Sequence, residues 1–170
     1  DKTAKWDEAD SIATDVLATA NLSAGYRGWA LGIQAQVSLS RGSSEQAVEQ
    51  ARAAQASCTR LPLRLLWIRT LLVRGLLSVG RTAEASSVCD EISQMLETFG
   101  GGYVEINAWL AMAETFAACG DMNAARRCLA RARQCIDTRA ADIRDEDMRR
   151  RYLHDVLENA RAHALAATWL

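Results

Sequence analysis

Apolar residues recur along most of this chain at intervals of three and four, the spacing that gathers side chains on one face of an α-helix. Ala9, Ile12, Ala13, Val16 and Leu17 share such a face within residues 4–20, and Ala47, Ala51 and Ala54 form a narrower stripe within 44–57. Leu65, Leu66, Trp67, Ile68, Leu71, Leu72, Val73, Leu76 and Leu77 make 62–79 apolar nearly all round. That helix is expected to be the most buried. Ala85, Val88, Cys89, Ile92, Met95 and Leu96 line the inward face of 81–98. With 23–41, 102–119, 121–140, 145–155 and 157–169, the pattern predicts an all-α chain of about eight or nine helices. In the last two, Met148, Tyr152 and Val156 make one apolar strip, and Leu165 and Trp169 another.

Punctuation supports these bounds. Asn21 and Ser23 separate the first two helices, Gly42 precedes Ser43 and Ser44 as caps, and Pro62 sits in a first turn where its missing N–H is harmless. Gly25, Gly28 and Gly32 lie along 23–41 at spacings of three and four, each costing about 1 kcal/mol relative to alanine. They predict a face that another backbone approaches closely. Gly100-Gly101-Gly102 is the one loosening in the chain, and with no preceding strand it reads as a helix–helix connection.

An internal repeat outranks the individual helices. Gly42, Gly80 and Gly120 are 38 and 40 residues apart, and Ala47, Ala85 and Ala125 each follow five residues later. Ala4 and Ala9 repeat that spacing, so the chain is expected to enter halfway through a repeat. It also starts without Met, and is therefore read as a piece of a longer protein.

The best copy carries Trp109, Met112, Ala113 and Phe116 before its break, and Ala125, Leu129 and Ala132 after it. This resembles the tetratricopeptide repeat, in which an aromatic-rich first helix crosses a second at small residues. The Gly42 copy keeps Ala35, Ala47 and Ala54 but has Leu31 and Ser38 for the aromatics. The Gly80 copy has Arg69 at the family's Trp position, no terminal proline is present, and the spacing exceeds the usual of about 34. The resemblance implies a single domain over 1–170, an α-α superhelix of antiparallel helix pairs closed by capping helices at 145–169. Trp109, Ala113, Phe116, Ala125 and Ala132 are then expected in the core. The tail YLHDVLENARAHALAATWL also resembles the end of such arrays in large bacterial signalling kinases and regulatory ATPases, with Leu157 where a proline is common.

Composition excludes more than it assigns. A single proline in 170 residues agrees with helices throughout. No apolar run approaches the roughly 18 residues of a membrane span, and the charged N-terminus lacks a signal-peptide core; a cytoplasmic setting without a membrane is expected. Cys58, Cys89, Cys119, Cys128 and Cys135 lie in helical patterns without metal-ligand spacing and are expected as small buried thiols. His154, beside Asp155, reads as an ordinary half-exposed histidine.

No phosphate loop, nucleophile elbow or paired carboxylate is apparent, so no catalytic residue, cofactor or metal is expected. Net charge is −1. The arginines between Arg126 and Arg151 alternate with Asp137, Asp142, Asp145, Glu146 and Asp147, which makes nucleic acid the least favoured ligand.

The favoured function is a non-catalytic interaction or scaffold module, the C-terminal sensor or regulatory arm of a larger protein. Its partner would be a protein or peptide, or other domains of the same chain. Transferring the family's register places candidate groove positions at Trp29, Gln36, Trp67, Thr70, Arg74, Asn107 and Glu114. Packing of Trp29 and Trp67 between repeats is the competing reading for both indoles. A structural or homo-oligomeric arm with no groove ligand is the alternative.

Overall fold

A computed structural model describes residues 2–58 and 60–170. Among them are nine α-helices and no strand: α1 (Lys2–Ala18), α2 (Ala24–Ser40), α3 (Ser44–Ser57), α4 (Pro62–Ser78), α5 (Thr82–Phe99), α6 (Glu105–Ala118), α7 (Met122–Ala141), α8 (Glu146–His154) and α9 (Leu157–Trp169). The predicted bounds are met to within three residues. The largest difference is at α6, where Gly102–Val104 forms a single 3-10 turn before the helix proper.

The three repeat breaks share one geometry. Gly42, Gly80 and Gly120 adopt φ of 77°, 77° and 86°, the left-handed conformation that glycine takes without a side-chain clash. Each amide bonds three residues back, as Gly42 N to Leu39 O at 3.2 Å, Gly80 N to Leu77 O at 3.1 Å and Gly120 N to Ala117 O at 3.0 Å. The following amides reach further, Ser43 N to Ser38 O, Arg81 N to Leu76 O and Asp121 N to Phe116 O. That pair of bonds is the Schellman motif, which satisfies carbonyls a helix end would otherwise orphan. Ala47, Ala85 and Ala125, one turn into each next helix, are fully buried. Asp121 also caps α7 by accepting from Ala124 N at 2.9 Å, whereas the Ser23 and Ser43 side chains make no cap bond.

The chain divides into two compact units, Asp1–Phe99 and Gly100–Leu170, the division falling at the predicted glycine run. In the first unit each helix packs on its chain neighbour, and α2 also packs on α4. The neighbours are antiparallel: Arg41 of α2's C-cap reaches Asp7 and Asp10 at 2.6 and 2.7 Å while Gln34 reaches Thr14 at 3.2 Å. Ser38 on α2 likewise donates to Gln50 on α3 at 2.7 Å. Helix α4 has the most buried positions of any described helix, including Leu66, Ile68, Leu72, Val73 and Leu76, as its all-round apolar pattern predicts.

In the second unit α6 and α7 pair, α9 packs on both, and α8 packs on α7 and α9. Ala113, Ala125 and Ala132 are fully buried, but Trp109 and Phe116 are only half-buried. The helices therefore cross at their alanines and leave both rings partly at the surface. The strip Met148, Tyr152 and Val156 does not form a core either. Helix α8 buries no residue, and Met148 and Val156 are exposed. Closure comes instead from the small face of α9, Asn159, Ala162 and Ala166, with Asn159 Nδ2 donating to the Tyr152 carbonyl at 2.7 Å.

Candidate functional site

The predicted glycine face of α2 is where the close approaches occur. A Cβ on Gly28 would lie 2.9 Å from Cys58 Cβ and 3.1 Å from the Ala54 carbonyl oxygen. One on Gly25 would meet Leu61 and Arg64, and Arg64 Nη1 donates to the Gly25 carbonyl at 2.7 Å. One on Gly32 would stand 2.7 Å from Cη2 of Trp67. Gly25 thus pairs with 61–64 and Gly32 with 67, so α2 and α4 run parallel, offset by nearly one repeat.

This places Trp29, Gln36, Trp67 and Arg74 on one two-helix strip and separates the two indoles by role. Trp67 is half-buried, its ring over Gly32 and against a cluster of Ala54, Cys58 and Ile68. Packing between the helices is its observed role. Trp29, in phase with it, remains 37% exposed. Gln36 and Arg74 are half-buried, and among the described residues neither side chain has a hydrogen bond or ion pair. Three of the predicted positions therefore retain free recognition capacity: one ring face, one amide and one guanidinium.

Two predicted positions do not. Thr70 is 2% exposed, and its hydroxyl donates to the Leu66 carbonyl at 2.8 Å; a side chain sealed in the core and satisfied by its own helix cannot line a groove. Glu114 is bound by the Arg161 guanidinium of α9, an ion pair that ties the last helix to α6. Asn107 lies half-buried on α6, in the second unit.

Sequence reasoning missed a cleft of about 520 Å³ in the first unit. Helices α3 and α5 both pack on α4 and not on each other, so α4 forms a floor between them. Arg52 of α3 reaches Glu84 of α5 across the opening at 2.6 Å, and Arg81 also pairs with Glu84 at 2.5 Å. Those guanidiniums hold the Glu84 carboxyl below the usual carboxylate range, chiefly through the Arg81 hydrogen bond. Arg69, the residue at the family's Trp position, enters the same cleft. The signal available from sequence was that departure alone.

The remaining reactive groups differ in burial. Cys58, Cys89 and Cys128 are buried, and burial pushes the Cys128 thiol up to about 11. Cys119, expected to be buried, is exposed because it is the C-cap of α6 beside the Gly120 turn. The His154 and His163 rings lie 6.1 Å apart, a pairing that their sequence positions do not suggest. Among the described residues no group of three or more His, Cys, Asp or Glu could hold a metal ion.

Much of the basic run is engaged internally. Arg126 bonds the Trp169 carbonyl, Arg139 bonds Gly102 and Glu105, and Arg149 and Arg150 pair with Glu146 and Asp147. No described helix is long and apolar enough to cross a membrane. Compared with protein-family models, curated proteins and solved structures, the chain has no match.

Proposed function

We propose that this chain is a non-catalytic helical-repeat interaction module that receives a peptide segment of a protein partner along the α2–α4 strip. The observation that carries the reading is the half-buried pair Gln36 and Arg74, both without a side-chain partner among the described residues, on the strip that exposes Trp29. A half-buried polar group has already lost much of its hydration and freedom, so a ligand that completes its hydrogen bonds gains more there than at a flexible surface arginine. Tryptophan and arginine are the side chains that most often dominate protein interfaces. Trp67, held over Gly32, supplies a fixed floor rather than a mobile contact.

The repeat spacing, the three matching turns and the antiparallel pairs favour a tetratricopeptide-like module. The tail resemblance favours a place at the C-terminal end of a larger cytoplasmic signalling protein. The test is selection of short random peptides on the immobilised chain. Arg74→Glu and Trp29→Ala should each weaken the selected peptides by about tenfold or more. Unchanged affinity in both variants, with wild-type circular dichroism, removes the strip as the binding surface.

A further inference from the structure

The α3–α4–α5 cleft shares no residue with the α2–α4 strip, and its chemistry is different. Eleven residues before each repeat break the copies carry Leu31, Arg69 and Trp109. Only the middle copy puts a charge where its relatives put an apolar side chain. Arg69 is nonetheless withdrawn from water, with its side chain only 17% exposed. Its Nη2 meets Glu91 Oε2 at 2.5 Å and its Nη1 lies 2.9 Å from Met95 Sδ, while its Nε is buried and has no hydrogen-bond partner among the described residues. A buried N–H without an acceptor is costly and uncommon.

The space beside it is amphipathic. Leu65, Leu72 and Leu76 from α4 and Val88 from α5 provide apolar surface, and the volume lies in the range that small-molecule sites occupy. The charged lining residues are two guanidiniums, Arg52 and Arg69, against the single carboxylate of Glu84. Their direct partners add the Glu91 carboxylate on Arg69 and the Arg81 guanidinium on Glu84, which leaves the site one net positive charge that a single anion would balance. Glu84 would repel a dianion.

We propose that this cleft binds a small amphiphilic monocarboxylate, its apolar body on the leucines of α4 and Val88 and its carboxylate at Arg69 and Arg52. Arginine suits this task because its planar fork presents several donors to one carboxylate. The Arg69–Glu91 pair would hold the guanidinium in place before the ligand arrives.

The test is a titration of the isotope-labelled chain with octanoate and with octan-1-ol, following the arginine Nε–Hε and leucine and valine methyl resonances. Octanoate should shift Arg69 Nε–Hε together with Leu72, Leu76 and Val88, saturably, and bind at least about tenfold tighter than the alcohol. Arg69→Met should abolish the preference for the acid. Ala56→Trp, at an exposed position in the α3 wall of the cleft, should block octanoate while leaving the helical spectrum unchanged. It decides the matter if Arg69→Met does not fold. The proposal is overturned by octanoate shifts confined to other surfaces, by equal affinity for acid and alcohol, or by octanoate binding that survives Ala56→Trp.

Discussion

Replacing Gly32 by alanine tests the seat of Trp67 directly, because intrinsic propensity and packing predict opposite signs. In a helix interior with open space around it, Gly→Ala stabilises by about 1 kcal/mol. At Gly32 the new Cβ would stand 2.7 Å from Cη2 of Trp67 and 3.3 Å from Cε3, so the indole must swing away. It would lose contact with the cluster of Ala54, Cys58 and Ile68. Overpacking of this kind costs about 1–3 kcal/mol. Set against the propensity gain, the expected net change is a loss of up to about 2 kcal/mol. Shrinking the ring should restore the gain, so Gly32→Ala in a Trp67→Leu background should stabilise. The double-mutant cycle should show coupling of about 1–3 kcal/mol.

Gly28→Ala is the control. Its Cβ meets Cys58 Cβ at 2.9 Å and a backbone oxygen at 3.1 Å, neither of which can rotate out of the way, so Trp67→Leu should bring no relief. Guanidinium unfolding followed by circular dichroism measures all four corners. A Gly32→Ala variant about 1 kcal/mol more stable than the parent, or a cycle additive within about 0.5 kcal/mol, would refute the placement of the indole.

Leu157→Pro should stabilise by about 0.4–1 kcal/mol, since residue 157 opens α9, is 69% exposed, and follows Val156 at φ −73°, ψ 117°, a conformation that tolerates a following proline; a loss exceeding about 1 kcal/mol in thermal unfolding would place the helix start elsewhere. At mild alkaline pH, Cys119 should be the first of the five thiols to react with a disulfide reagent and Cys128 among the last, read by mass spectrometry of trapped peptides. Equal rates would contradict the burial of Cys128. The same thiol predicts a pH effect: the unfolded chain ionises it near 9 and the folded chain near 11, so its contribution is intact below 9 and is lost as pH rises through 11. Cys128→Ala should flatten that decline in stability, and an unaltered profile would assign the decline to other groups.

How far the sequence could be read depended on range. Local chemistry fixes helix ends, and Gly42, Gly80, Gly120 and Pro62 mark theirs because a left-handed turn or a missing N–H acts within a few residues. The glycine face of α2 was equally legible, since only a close approach justifies three glycines in one helix. Faces were less so. Helix α4 is apolar on nearly every side, so periodicity could not say that Thr70 points inward and Arg74 outward. In-phase indoles said that Trp29 and Trp67 occupy like positions, not that glycine at position 32 seats one ring and leaves the other partly exposed. The partner of Glu114 lies 47 residues away, beyond any local pattern. The α3–α5 gap arises from two helices that share a third while their backbones stay apart, a property of spacing in three dimensions that leaves no mark in either helix alone.

The three superposable turns make the repeat a unit of exchange as well as of structure. Because Gly42 and Gly80 close their helices with the same two hydrogen bonds and the same φ, joining Gly42 directly to Arg81 would leave no carbonyl orphaned at the splice. Helix α5 would then follow α2 with Ala85 at the position Ala47 now holds, a buried alanine replacing a buried alanine. Duplication across the same junction is equally silent to the backbone. A gene encoding such a chain can change its number of helix pairs by unequal recombination at these glycines without first having to invent a turn, so length is the property of this architecture most open to evolutionary adjustment.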